Sequence, residues 1–386
     1  MGYIVYLSRQ YPITNIKSVE VVYGPASTIY GANAYLGVVS VITKNANDFF
    51  VGDNKNQEAA IHAMVTYGAY NTISADVTTV FKSKKSQFST MFTVRYFQSD
   101  EQDLSGFEEY DYAEVGVDSI SYLNQSESIF LGSKIESQNF TMGFGYWYKK
   151  EGVGGWFNDK SYINNTDFTR WNPYNVYIYA KYDKALGARE KVYFSNFMRY
   201  KISGLDDSTT IVKITPTGRP VIDSYDLHST QLRNETQLLY TANSRFSVIS
   251  GFEFRFSAIQ GDYYKGRLEQ RDTIFSNQLD QYKKYISFDV GIYSQAAYQI
   301  VKEKLKFTVG GRLDGNRTRN NDAKGYLVFN PRLALVFSPK NTFVKLIYSE
   351  AFMNPTNFQR YSLAGDRVVP NRNLLTEKVK NYEFSF

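Results

Sequence analysis

From about residue 57 onward, apolar and polar side chains alternate with a period of two, the mark of strands that separate two environments. Tyr285 to Ile300 shows it most clearly. Ile286, Phe288, Val290, Ile292, Ala296, Tyr298 and Ile300 share one face; Ser287, Asp289, Gly291, Gln295 and Gln299 share the other, with Tyr293 among them. That strand is longer than an ordinary globular sheet needs. The same pattern predicts about fourteen strands, near 57–67, 72–81, 87–97, 128–136, 139–148, 174–182, 190–200, 230–242, 244–257, 285–300, 304–314, 327–337, 342–351 and 378–386. From the third strand on, long segments (98–127, 149–173, 201–229, 258–284, 315–326 and 352–377) alternate with short turns such as 137–138, 301–303 and 338–341. Long loops at one end and tight turns at the other describe a transmembrane antiparallel β-barrel, all-β in class. The long side then faces the cell exterior.

Composition supports this reading. Aromatic residues make up 17% of the 386-residue chain, and 33 of them are tyrosines. Tyrosine has an apolar ring and a polar tip, so it suits strands and membrane–water boundaries. No stretch approaches the roughly 18 apolar residues of a membrane helix. A soluble all-β binding module rich in tyrosine remains the alternative. The net charge of +6 is small and carries no polybasic run, so no nucleic-acid partner is expected. No secretory leader opens the chain, and an exported protein would need one ahead of Met1.

Little here points to catalysis. There is no cysteine, and the two histidines, His62 and His228, are far apart in sequence. Nucleophile–base arrangements and zinc sites are therefore unsupported. No phosphate-binding loop occurs. Gly143-x-Gly145 lies inside an alternating strand, where glycine permits close approach or curvature. The acidic run 98–111 reads as a solvated loop ahead of a calcium site. Trp147, Trp156, Phe157 and Trp171 flank one long loop. They are candidates for stacking on a ligand at the mouth, or for an interfacial belt. No enzyme activity, cofactor or metal site is expected.

The most distinctive stretch is Ile16 to Lys44, IKSVEVVYGPASTIYGANAYLGVVSVITK. It joins two apolar strands through Gly24-Pro25, Tyr30-Gly31, Asn33-Ala34 and Gly37, with Glu20 in the first strand. It resembles the end of the plug domain of TonB-dependent outer-membrane receptors. Further matches resemble barrel motifs of that family: Gly310-Gly311-Arg312-Leu313-Asp314, Asn330-Pro331-Arg332-Leu333-Ala334, Tyr348 to Thr356, and Asn371 to Phe386.

The resemblance implies a partial plug at 1–48 and the N-terminal part of a barrel at 49–386. About fourteen strands would be present of the roughly 22 in a plugged receptor barrel. It further implies outer-membrane lipid as surroundings and a scarce small-molecule or metal-chelate ligand, such as an iron–siderophore complex. The TonB-ExbB-ExbD complex would be the energising partner, acting through a TonB box missing from this chain. Tyr23 stands where many members carry an arginine that pairs with a barrel glutamate. A Tyr23–Glu383 contact is the substitute expected here. The terminal Tyr382-x-Phe384-x-Phe386 also fits a complete fourteen-strand passive or fatty-acid-type channel, the second reading.

Overall fold

The computed structural model describes residues 10–50, 57–83, 85, 87–100, 125–152, 162–163, 170–187, 191–206, 208–214, 220–260, 264–269, 273–275, 284–319, 325–339, 342–356, 359–360, 371 and 373–386. Strands β1 (Ile16–Tyr23) and β2 (Gly37–Thr43) form an antiparallel hairpin of their own. The four-residue helix α1 (Ser27–Tyr30) lies between them. A short 3-10 turn, Ala46–Phe49, follows.

The chain then enters a meander of long strands: β3 (Ala59–Gly68), β4 (Thr72–Ser83), β5 (Phe88–Ser99), β6 (Ser126–Ser137), β7 (Phe140–Glu151), β9 (Pro173–Leu186), β10 (Val192–Leu205), β13 (Leu227–Asn243), β14 (Phe246–Gln260), β17 (Lys284–Val301), β18 (Leu305–Arg319), β19 (Tyr326–Phe337), β20 (Val344–Met353) and β21 (Glu377–Ser385). They form one fourteen-stranded antiparallel sheet, each strand bonded to its neighbours in chain order. All fourteen strands legible in the sequence are present. Among the described residues the ladder ends at β3 and β21 without joining them. These residues therefore do not close a fourteen-strand barrel, as the channel reading required.

Five further strands lie in the long connections: β8 (Tyr162–Ile163), β11 (Thr210–Ile214), β12 (Pro220–Tyr225), β15 (Tyr264–Glu269) and β16 (Thr273–Phe275). They pair into a second sheet, in the order β16-β15-β12-β11-β8, on the long-loop side. The alternation predicts loops over these segments. Each strand is two to six residues long, too short for a periodic pattern to register.

The two faces of the large sheet separate as the alternation demands. On β17, Tyr285 and Tyr293 are buried, whereas Phe288, Val290, Ile292, Tyr298 and Ile300 are exposed. The apolar row thus points outward, and the bore side carries charge: Arg312, Asp314, Glu253, Arg95 and Asp76 are all buried there. Such a polarity is inverted relative to a soluble protein and matches a wall wetted by lipid outside and water within. Beside the short turns, Phe88, Phe140, Tyr182, Tyr298, Phe337 and Phe384 stand outward and exposed. They form the aromatic girdle expected at a membrane boundary.

Candidate functional site

The segment of residues 10–50 sits against the bore face of the sheet, and polar contacts seat it at two places. At one end, Trp147 Nε1–H donates to the Tyr11 hydroxyl at 3.2 Å. Lys134 Nζ donates to the Lys44 carbonyl at 3.2 Å, and the Ala46 N–H donates to Glu136 at 3.2 Å. Burial raises the Tyr11 phenol above its ordinary value, against the lowering effect of the Trp147 bond, so Tyr11 stays a neutral acceptor. Phe50, Val80, Met91 and Ala46 make a small apolar cluster beneath this end.

At the other end the turn region of the hairpin meets β18 to β20. The Asn33 N–H donates to the Phe352 carbonyl at 3.1 Å, and the Asn354 N–H returns a bond to Asn33 Oδ1 at 3.2 Å. Arg332 Nη1 reaches the Pro25 carbonyl at 3.4 Å, and Thr28 Oγ1 reaches the Asn330 carbonyl at 3.5 Å. Arg312 Nη1 meets the Ile29 carbonyl at 3.5 Å. The last turn of α1 thus offers its free carbonyl to a cation, as helix C-termini do.

Arg312 belongs to a dense charge cluster. Its Nε binds both oxygens of Asp314, at 2.8 and 3.0 Å, and its Nη2 binds Glu253 at 2.9 Å. Glu253 also pairs with Arg255 at 2.7 Å and Arg233 at 3.1 Å. One carboxylate therefore faces three guanidiniums. Cross-strand register puts Glu235, Glu253, Gly291 and Asp314 in one row and Gln237, Gly251, Tyr293 and Arg312 in the next. Tyr293 bridges the rows, donating to Glu235 at 3.1 Å and accepting from Gln237 at 2.6 Å.

Gly31 closes the contact. It takes a left-handed φ of 79°, and a Cβ there would lie 2.8 Å from Arg312 Nη2. Only glycine both adopts that backbone and leaves room for the guanidinium. Gly24 is also left-handed, at φ 77°, ahead of Pro25. Asn33, at φ 73°, is the non-glycine residue type best able to accept this conformation.

Of the residues singled out from the sequence, Gly24, Pro25, Gly31, Asn33 and buried Ala34 come together on the wall. Tyr30 is partly exposed in α1, and Gly37 pairs with Tyr23 at the end of the hairpin. Glu20 lies on the exposed face of β1, opposite Ser40. The Tyr23–Glu383 contact does not form. Tyr23 is 87% exposed, and Glu383 instead pairs with Lys345 at 2.6 Å and accepts from Ser385 at 3.1 Å. The carboxylate is taken by a cross-strand lysine on the adjacent β20.

The aromatic quartet also separates. Trp147 is buried on the bore face under Tyr11, so it offers no open stacking surface. Trp171 packs edge-on against Tyr225, ring centroids 5.7 Å apart. Trp156 and Phe157 lie outside the described residues. The sequence gives no signal that Arg312, Arg332 and Asn354 make contacts, although each lies in a family-like barrel motif. Their partners stand about three hundred positions away in sequence, beyond the reach of local pattern.

Residues 92–386 match the family described as TonB dependent receptor-like, beta-barrel. Comparison with curated proteins by sequence gives no match. Among solved structures, the chain resembles the pyoverdine outer membrane receptor FpvA from Pseudomonas aeruginosa PAO1 bound to pyoverdine, with TM-score 0.70 and 15% identity over 96% of this chain and 55% of that one. It resembles the FrpB iron transporter from Neisseria meningitidis (F3-3 variant), with TM-score 0.66 and 16% identity over 96% and 58%. The siderophore receptor PirA from Acinetobacter baumannii gives TM-score 0.63 and 13% identity over 96% and 55%. The chain thus spans a little over half the length of each of these structures, and at such identities the likeness speaks for the fold. With the family match covering most of the chain, and a lipid-facing wall against whose inner face residues 10–50 are seated, this protein belongs to the TonB-dependent receptor-like β-barrel family of the outer membrane.

Proposed function

We propose that the chain is the end of the plug, residues 1–48, and the first part of the barrel, residues 49–386, of a TonB-dependent receptor. Its ligand is a scarce solute such as an iron–siderophore complex, and its work comes from the TonB-ExbB-ExbD complex. The observation that carries this is the seating of the hairpin turn: Asn33 joined to Phe352 and Asn354, and Pro25 held by Arg332. A segment fastened across the bore by a few polar bonds blocks passage yet can be released. The outer membrane has no nucleotide supply, so release must be driven mechanically. Among the similar structures are an iron transporter, a siderophore receptor and a pyoverdine receptor, which favours iron chelates as cargo. These are transporters and receptors, and no catalytic role is proposed.

The test is iron uptake by iron-starved Gram-negative cells that carry the gene for this protein. Uptake of a radiolabelled ferric siderophore should depend both on the gene and on TonB. Uptake that persists unchanged when TonB is deleted would replace this proposal with a passive channel.

A further inference from the structure

Between the β1–β2 hairpin and the wall made by β5, β6, β7, β9 and β10 lies a cavity of about 550 Å³. The hairpin side supplies Tyr11 and Asn15; the wall side supplies Tyr177, Tyr179, Arg199 and Lys201. Arg199 and Lys201 are two positions apart on β10, so both face the bore.

Among the described residues their charge is unmatched: neither makes an ion pair or a hydrogen bond, and the buried Arg199 Nε has no partner. Acids nearby are committed elsewhere: Glu136 to Lys134 at 2.8 Å, and Glu253 to Arg233, Arg255 and Arg312. Register sets Arg199 beside Arg233 and Arg233 beside Arg255, so further positive charge adjoins this side of the bore. The buried Oδ1 atoms of Asn15 and Asn175 on the same cavity are also unpaired. A half-buried cation without a counter-charge is costly. Ionisable side chains turned toward a water-filled bore mark routes for solutes.

The tyrosines show that the space is built. In the β7–β9 register Gly143 faces Tyr179 and Gly145 faces Tyr177. A Cβ on either glycine would run into the opposite ring. Each ring therefore lies flat over a glycine, a device that smooths a strand surface. The two rings are near parallel, 24° apart with centroids 6.5 Å apart. This is the use of the Gly143-x-Gly145 motif: it presses two aromatic rings against the wall and keeps the cavity open above them.

We propose that this cavity is a binding station for an anionic ligand on its way past the plug. Arg199 and Lys201 meet its negative charge, and the Tyr177 and Tyr179 rings support its flat or apolar parts. The proposal rests on the transport function above and adds the class of cargo, a solute of net negative charge. Charge-assisted contacts of this kind select strongly between charged and neutral partners of similar shape.

Two ferric chelates of similar size make the probes. Iron(III) with three catecholates carries three negative charges; iron(III) with three acetohydroxamates carries none. Binding of each to the protein in detergent-extracted outer membranes is followed by quenching of intrinsic fluorescence. The wild type should bind the catecholate complex at least about tenfold more tightly. The pair Arg199→Gln and Lys201→Gln should abolish that preference by weakening catecholate binding at least about tenfold, whereas Arg199→Lys with Lys201→Arg should retain it. Equal binding of the two chelates by wild type, or a preference that survives the double glutamine variant, overturns the proposal. So does loss of both chelates together in that variant, which would assign the cations to the fold. If the charge preference holds while uptake proves independent of TonB, the transport proposal fails and the cavity assignment stands.

Discussion

Gly31 shows how one residue can decide whether the plug seats. Its φ of 79° disfavours any side chain, and the space a Cβ would take is occupied by Arg312. Alanine there must either distort the end of α1 or displace a guanidinium that also holds Glu253 and Asp314. Strained backbone of this kind costs on the order of 1–3 kcal/mol, and an arginine pushed off a buried carboxylate adds to it. Because the chain has no cysteine, the effect can be read cleanly. Asn33→Cys with Asn354→Cys replaces residues already joined by a hydrogen bond and should cross-link under mild oxidation. Adding Gly31→Ala should cut that yield severalfold; an unchanged yield would mean that Arg312 and Gly31 do not govern seating. At this scale the sequence was only partly legible. The glycines announced turns, but their partners, Arg312, Arg332 and Asn354, are set by a register no local pattern encodes. The resemblance pairs Tyr23 with Glu383, whereas the structure gives Glu383 to Lys345.

Elements were far more legible, because each long strand carries its own two-sided pattern. Ile286, Phe288, Ile292 and Ile300 alternate with Ser287, Asp289 and Gln299 whatever lies beside them, and the fourteen-strand meander follows. Strands such as β8 and β16 are too short for that. The link between hairpin and meander makes a testable element of its own. The turn Ala46–Phe49 is closed by a capping box, Asn45 and Asp48 each accepting the other's backbone N–H. Lys17 binds Asp48 at 2.8 Å. Burial opposes ionisation of Asp48, but the Lys17 bond and the Asn45 N–H outweigh it and hold its carboxyl below the ordinary 3.8. A carboxyl lowered by folding contributes stability above its ordinary value and loses it as pH falls through the folded value. Amide-exchange protection of residues 45–50 should therefore hold from pH 7 to about 4 and decline below that. Asp48→Asn should flatten this decline, at a cost near neutrality of about 1 kcal/mol, the usual worth of a cap. An identical acid profile in the variant would show that Asp48 does not set it.

At the scale of the whole molecule the governing feature is the open ladder. Outward residues flanked by a strand on each side are less exposed, as Leu313, Val290 and Ile292 show at 39%, 41% and 59%. On β3, Ile61, Val65 and Tyr67 rise to 76%, 75% and 74%, and on β21 Tyr382 reaches 77%. The excess comes from having one neighbouring strand in place of two. Among the described residues each of these edges also presents a row of N–H and C=O groups with no partner strand, which hydrocarbon cannot satisfy and which a second chain can. Protein produced from these 386 residues alone should therefore associate through β3 and β21. In detergent it should run as higher-order species before boiling and as one chain after it. Charged substitutions on one edge, Ile61→Lys with Val65→Lys, should reduce that association, because lysines on an edge oppose further strand addition. A compact monomer that changes mobility on boiling would mean that β3 and β21 meet after all, and the wall would then be a closed fourteen-strand cylinder with the hairpin as its cork.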